Sequence, residues 1–102
     1  MKARAAVLHA VGRKLEISEV EVHAPRAGEV LVRMAVAGIC HTDLHVMTGH
    51  VPAPLPAVLG HEGAGVVAEV GPGVASVRAG DHVIPLWRLS CGVCEYCSAG
   101  RP

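Results

Sequence analysis

The sequence predicts a mainly β, barrel-like module with one short helix. Three observations carry that prediction. Apolar residues alternate over short runs, most cleanly at Val30, Val32, Met34 and Val36, the period of a half-buried strand. Turn signals recur at near-regular spacing: Gly12, Pro25 to Gly28, Gly71-Pro72-Gly73 and Ala79-Gly80-Asp81. One Trp, one Tyr and no Phe leave Val, Ala, Leu and Ile to fill the core, which suits thin β-layers.

The elements follow in order. Ala3 to Leu8 and Leu15 to Val22 read as strands, joined by a turn around Gly12, Arg13 and Lys14. Pro25 to Glu29 is a loop, and the alternating run from Val30 extends to about Ile39. The pattern changes at Cys40. His41 or Thr42 opens a short helix with Leu44 and Met47 on one face, and Gly49 ends it. Three prolines between Val51 and Pro56 impose an extended loop. The glycine-rich stretch from Gly60 becomes a strand at Val66 and runs to Val70. Val74 to Val77 reads as a short extended piece, and His82 to Pro85 as the last strand before a cysteine loop. No repeat, low-complexity tract or internal domain boundary interrupts residues 1–102.

Composition excludes several classes. The 102 residues suffice for one small core, and 51% hydrophobic with 18% charged residues is globular rather than disordered. A formal net charge of +0 offers no footprint for nucleic acid. No apolar run approaches the ~20 residues of a membrane span, and the first residues lack the form of a signal peptide. A cytoplasmic, reducing setting is expected, which favours metal ligation over disulfides for the cysteines.

The strongest chemical signal is Cys91-Gly-Val-Cys94-Glu-Tyr-Cys97, two Cys-x-x-Cys units sharing their middle residue. Short Cys-x-x-Cys loops supply thiolates in pairs to tetrahedral zinc. Three cysteines leave that site one ligand short. Either a histidine completes it, or the motif continues beyond Pro102; the second is the expectation here.

A second metal-type group is weaker when read alone. Cys40 and His61 are good zinc ligands near strand ends, with Asp43 and Glu62 as nearby carboxylates. A lone cysteine is usually a small hydrophobe, and a lone histidine is usually a satisfied or surface residue. The glycines at 60, 63 and 65 fall in the wrong order for a dinucleotide fingerprint, and no βαβ pattern surrounds them.

Four motifs in order make the case specific. They are Gly38-Ile39-Cys40-His41-Thr42-Asp43-Leu44-His45, Gly60-His61-Glu62-Gly63-Ala64-Gly65-Val66-Val67, Gly80-Asp81-His82-Val83, and the cysteine loop. Together they resemble the zinc-dependent medium-chain alcohol dehydrogenases, across essentially all of residues 1–102. The resemblance implies a GroES-like β-barrel, incomplete at the C-terminus, that forms the N-terminal part of the catalytic domain. It implies Cys40 and His61 as ligands of a catalytic zinc, with Glu62 in its near shell. Asp43 would orient the ligand histidine. Thr42 would take the substrate proton, His45 would relay it, and His41 would contact the coenzyme pyrophosphate. Cys91, Cys94 and Cys97 match three of four structural-zinc cysteines.

The family's third protein ligand to catalytic zinc and its Rossmann coenzyme domain are expected outside this chain. Residues 1–102 alone are therefore expected to be inactive. The complete enzyme is expected to use Zn2+ with NAD or NADP on a small alcohol or aldehyde, as a homo-oligomer. The alternative is a stand-alone zinc-binding GroES-like structural module, since fold alone does not fix function. Apart from the resemblance, Thr42 reads as a helix cap and His45 as a solvated helix residue. His9, His23, His50 and His82 carry no motif, and Trp87 and Tyr96 read as packing around the cysteine loop.

Overall fold

A computed structural model describes the whole chain, Met1–Pro102. Six strands and two short helices follow in order: β1 (Lys2–Leu8), β2 (Glu16–Glu21), β3 (Val30–Ala37), α1 (His41–Met47), β4 (Ala57–Val58), β5 (Gly63–Val70), β6 (His82–Val83) and α2 (Glu95–Ser98). The architecture is mainly β, as the alternating runs and turn signals predict. It consists of two three-stranded sheets, ordered β2-β1-β4 and β3-β5-β6, with no ladder between them. All pairings are antiparallel.

β1 is the central strand of the first sheet. It pairs with β2 along its length, from Lys2 opposite Glu21 to Val7 opposite Glu16. Its last two residues also pair with β4. There the burial no longer alternates: Val7 and Leu8 are both buried. With Val67 of β5 they make up the buried hydrophobic core. Such a core is small because the sequence has no Phe and its Trp87 and Tyr96 both stay exposed. The accessible surface is 7958 Å², where a compact monomer of this mass exposes roughly 5,400 Å². The excess includes bare apolar side chains such as Ile39, Leu86 and Leu89.

The second sheet sets the geometry that matters for function. β3 and β5 pair from Val30 opposite Val70 to Ala37 opposite Gly63. Two irregularities interrupt this ladder, leaving Ala68 of β5 and Ala35 of β3 unpaired. One extra residue on each strand cancels the other, so the register at the Ala37 end matches that at the Val30 end. A bulge on one strand alone would shift that end by one residue and redirect its side chains.

Several boundaries differ from the sequence reading. β5 begins at Gly63, not Val66, because the glycine-rich segment already lies in the ladder against Val36 and Ala37. Val74 to Val77 forms no strand, and only His82–Val83 of the last predicted strand pairs. β4 was not predicted; pairing with β1 creates it directly after the proline loop. A second helix, α2, also lies where only a loop was predicted. Its first turn is capped by Cys94, whose side chain accepts from the Cys97 N–H. α1 starts at His41 with Cys40 as its N-cap.

Candidate metal centres

The β3–β5 ladder runs one step beyond the strands: the Gly38 N–H donates to the Glu62 carbonyl at 3.0 Å. That pairing carries the chain on each side directly into Cys40 and His61. The ligand atoms of Cys40, His61 and Glu62 lie within 4.8 Å of one another. Gly38 leaves room for the Glu62 side chain at this seam. A Cβ there would stand 2.7 Å from Glu62 Oε2 and 3.1 Å from Glu62 Cβ. Cys40 and His61 are half-buried, and Glu62 is exposed.

A capping contact at the start of α1 holds Cys40. Asp43 Oδ2 accepts from the Cys40 backbone N–H at 3.2 Å. Asp43 therefore fixes the turn that carries the thiol. The Cys40 thiol donates to Thr42 Oγ1 at 3.5 Å, so Thr42 stands beside the cluster. His41 and His45, one helical turn apart, meet edge to face with ring centroids at 4.7 Å.

The trio stands between two apolar clefts that share Ala6, Ala37, Gly38 and Leu59. Cys40, His41 and Asp43 face one with Leu44 and Met47. His61 and Glu62 face the other, of about 630 Å³, with Pro85, Leu86 and Trp87. Such a volume is ordinary for a small-molecule site. The sequence reading missed Trp87. It is 71% exposed rather than packed around the cysteine loop. Its ring centroid lies 6.4 Å from that of His61. The available signal was its being the lone tryptophan in a chain almost without aromatics.

The second centre is local. The ligand atoms of Cys91, Cys94 and Cys97 also lie within 4.8 Å of one another. Cys91 Sγ and Cys97 Sγ are 4.0 Å apart, close to the about 3.8 Å between sulfurs on one tetrahedral zinc. The backbone N–H groups of Val93 and Cys94 donate to Cys91 Sγ at 3.4 and 3.2 Å. Those two bonds, with a further one to the Cys94 side chain, lower the Cys91 thiol from 9.0 to about 7. Hydrogen bonds that favour the anion prepare a thiolate, the form that binds metal. All four cysteines are free thiols.

Both clusters fit a zinc ion in donor type and spacing. One is a set of three cysteines of the kind that structural zinc sites use. The other mixes thiolate, imidazole and carboxylate beside a cleft, the composition of a catalytic site with an open position. That combination on this fold defines a class, and the comparisons with known proteins place the chain in it.

The family model for the alcohol dehydrogenase GroES-like domain matches residues 26–102, and the chain belongs to that family. It is 55% identical over 102 residues to S-(hydroxymethyl)glutathione dehydrogenase from Escherichia coli O1:K1 / APEC, covering 99% of this chain and 28% of that protein. The crystal structure of an alcohol dehydrogenase zinc-binding domain protein from Burkholderia ambifaria superposes with a TM-score of 0.89 at 51% identity, covering 98% of this chain and 27% of that one. A cobalt and zinc bound thermostable alcohol dehydrogenase from Pyrobaculum aerophilum gives a TM-score of 0.87 at 43% identity, covering 99% and 31%. The chain thus spans little more than a quarter of the length of the curated relative it matches.

Proposed function

We propose that the protein carrying this chain is a zinc-dependent alcohol dehydrogenase. It moves hydride between a small alcohol or aldehyde and NAD or NADP, and the coenzyme is held by a part of the protein outside residues 1–102. The observation that carries this reading is the Cys40, His61 and Glu62 cluster between two apolar clefts.

Cys40 and His61 would hold the catalytic zinc, and Glu62, whose carboxylate belongs to the same cluster, would lie in its near shell. Zinc, when bound, supplies Lewis acidity at the substrate oxygen. Leu59, Leu86 and Trp87 line the cleft beside His61 and would give the substrate carbon an apolar wall. Thr42, beside the Cys40 thiol, receives the alcohol proton and hands it to His45, whose ring nitrogens can accept one proton and donate another. His41 meets the coenzyme pyrophosphate. Asp43 holds the Cys40 turn, and its orienting of the ligand histidine belongs to the same proposal. Cys91, Cys94 and Cys97 hold a structural zinc. No helix is long and apolar enough to cross a membrane. Four free thiols accord with a cytoplasmic setting, and the bare apolar side chains accord with a homo-oligomer.

The test uses the whole zinc-loaded protein, with NAD or NADP and a panel of primary and aromatic alcohols. Coenzyme reduction should appear and should vanish when a chelator strips the metal. No reduction with any alcohol by protein shown to hold zinc would refute the assignment.

A further inference from the structure

His50 has no sequence motif, yet the end of α1 delivers it to a defined place. Gly49 takes φ +84, the left-handed region that closes a helix. The His50 N–H then donates to the His45 carbonyl at 2.8 Å, and the Gly49 N–H to the Val46 carbonyl at 3.2 Å. The Val51 N–H donates to the same His45 carbonyl at 3.1 Å. The backbone of His50 is thereby tied to that of His45, and their rings meet edge to face with centroids 5.8 Å apart.

The ring is also oriented. Thr48 Oγ1 lies 2.9 Å from the Leu44 carbonyl and 2.8 Å from His50 Nδ1. A carbonyl can only accept, so the single Thr48 hydroxyl proton goes to Leu44. The oxygen lone pair is left for an N–H on His50 Nδ1. Neutral His50 therefore carries its proton on Nδ1 and offers Nε2 as a base.

From this geometry we infer that His50 is a second proton station, which takes the proton from His45 and passes it to water. The inference rests on the proposed relay through His45. His45 imidazolium gives up one proton, directly or across one water, and His50 Nε2 gains it. His50 then loses the same proton to bulk solvent, so no other reactant is needed. Thr48 is a positioning residue in this scheme. The surrounding charges do not trap the proton. The β1–β2 turn packs on this helix end through the Gly12 N–H and the Met47 carbonyl. It carries the cations Arg13 and Lys14, and its His9 is paired with Glu16. No salt bridge joins His50 to a carboxylate.

The experiment compares His45→Gln, His50→Gln and Thr48→Val in the full-length zinc enzyme. Rates are taken under chemistry-limited conditions across pH, with zinc content checked. His50→Gln should lower alcohol oxidation about three- to tenfold at pH ~7, a fraction of what a direct general base contributes. The deficit should shrink in alkali, where hydroxide accepts the proton, and imidazole buffer should restore the rate. Thr48→Val, which keeps the ring but frees its tautomer, should show a smaller deficit of the same shape. A wild-type profile for His50→Gln beside an impaired His45→Gln overturns the second station and leaves the relay standing. Wild-type profiles for both overturn the relay and this inference together. A pH-independent loss that imidazole does not restore makes His50 merely structural and also overturns it. If His50→Gln does not fold, the Thr48→Val profile decides, a wild-type shape counting against the station.

Discussion

Cys91, Cys94 and Cys97 are neighbours in sequence, and their thiols face one another across a single loop. Cys40 and His61 meet only because β3 and β5 pair and then hold one further hydrogen bond, from Gly38 to Glu62. The first cluster carries its own template. Backbone N–H groups of the loop point at Cys91 Sγ, and Cys94 caps the helical turn that brings Cys97 back. The second borrows its geometry from two strands whose bulges offset one another. A local site tolerates change elsewhere in the fold. A site assembled across a ladder inherits every error in register. That separation suits the two proposed tasks, since holding a loop requires only closure, whereas chemistry requires a cleft beside the metal.

The comparison is most severely tested by removing ligands. In the full-length enzyme, Cys40→Ala or His61→Ala should reduce alcohol oxidation to background, because a protein ligand is lost from the catalytic metal. Metal analysis should still find about half the zinc, held by the cysteine loop. Complete zinc loss would show that the two centres are not independent.

Gly38→Ala probes the seam without touching a ligand. The added methyl would crowd Glu62, whose carboxylate would have to leave its present position in the cluster. Zinc affinity at that centre should fall by about tenfold, the scale of a lost supporting contact. The cysteine loop should keep its metal. Competition with a chromogenic chelator measures both, and unchanged affinity at both would mean that Glu62 does not support the metal.

Leu8→Ala removes one of the few fully buried side chains. It should cost about 2–5 kcal/mol in a denaturation experiment. Zinc at the cysteine loop should persist under conditions where the Cys40 centre is lost, because only the latter depends on the sheets. Simultaneous release of both would make the loop as dependent on the core as the ladder site.

The smallest effect concerns acid. The folded loop lowers the Cys91 thiol from 9.0 to about 7. A depressed acid of this kind favours the fold fully above pH 9, and the contribution is lost as pH falls through about 7. In zinc-free protein, alkylation of Cys91 should therefore follow a midpoint near 7, which peptide mapping across pH can read. A midpoint near 9 would mean that the backbone N–H groups do not organise the loop before metal binds.

Much of this was legible in the residues themselves. Val30 to Val36 alternate with a strand's period, and a strand stands there. The proline run precludes regular structure, and Gly49 ends the helix it follows. The cysteine loop declared its chemistry because all three thiols lie within reach of one another along the chain. Cys40 and His61 were recoverable only through the motifs around them, since neither residue reveals the other. Trp87 was missed because its neighbour His61 is distant in the chain, and His50 because the helix end that places it is local but carries no chemical motif.

Local sequence determined the strands, the turns and the thiolate loop, because hydrogen bonds and side-chain alternation over a few residues are enough to specify them. The tertiary structure alone decided where those pieces meet. Pairing between β3 and β5 depends on two compensating bulges, and a shift of one residue there would turn the Cys40 side of the seam away from His61. The lone Trp stands near His61, still exposed, and the capped end of α1 folds His50 back onto His45. The first and second of those outcomes come from packing against chain distant in sequence, whereas the third comes from the helix-end hydrogen bonds that local residues build once α1 has formed.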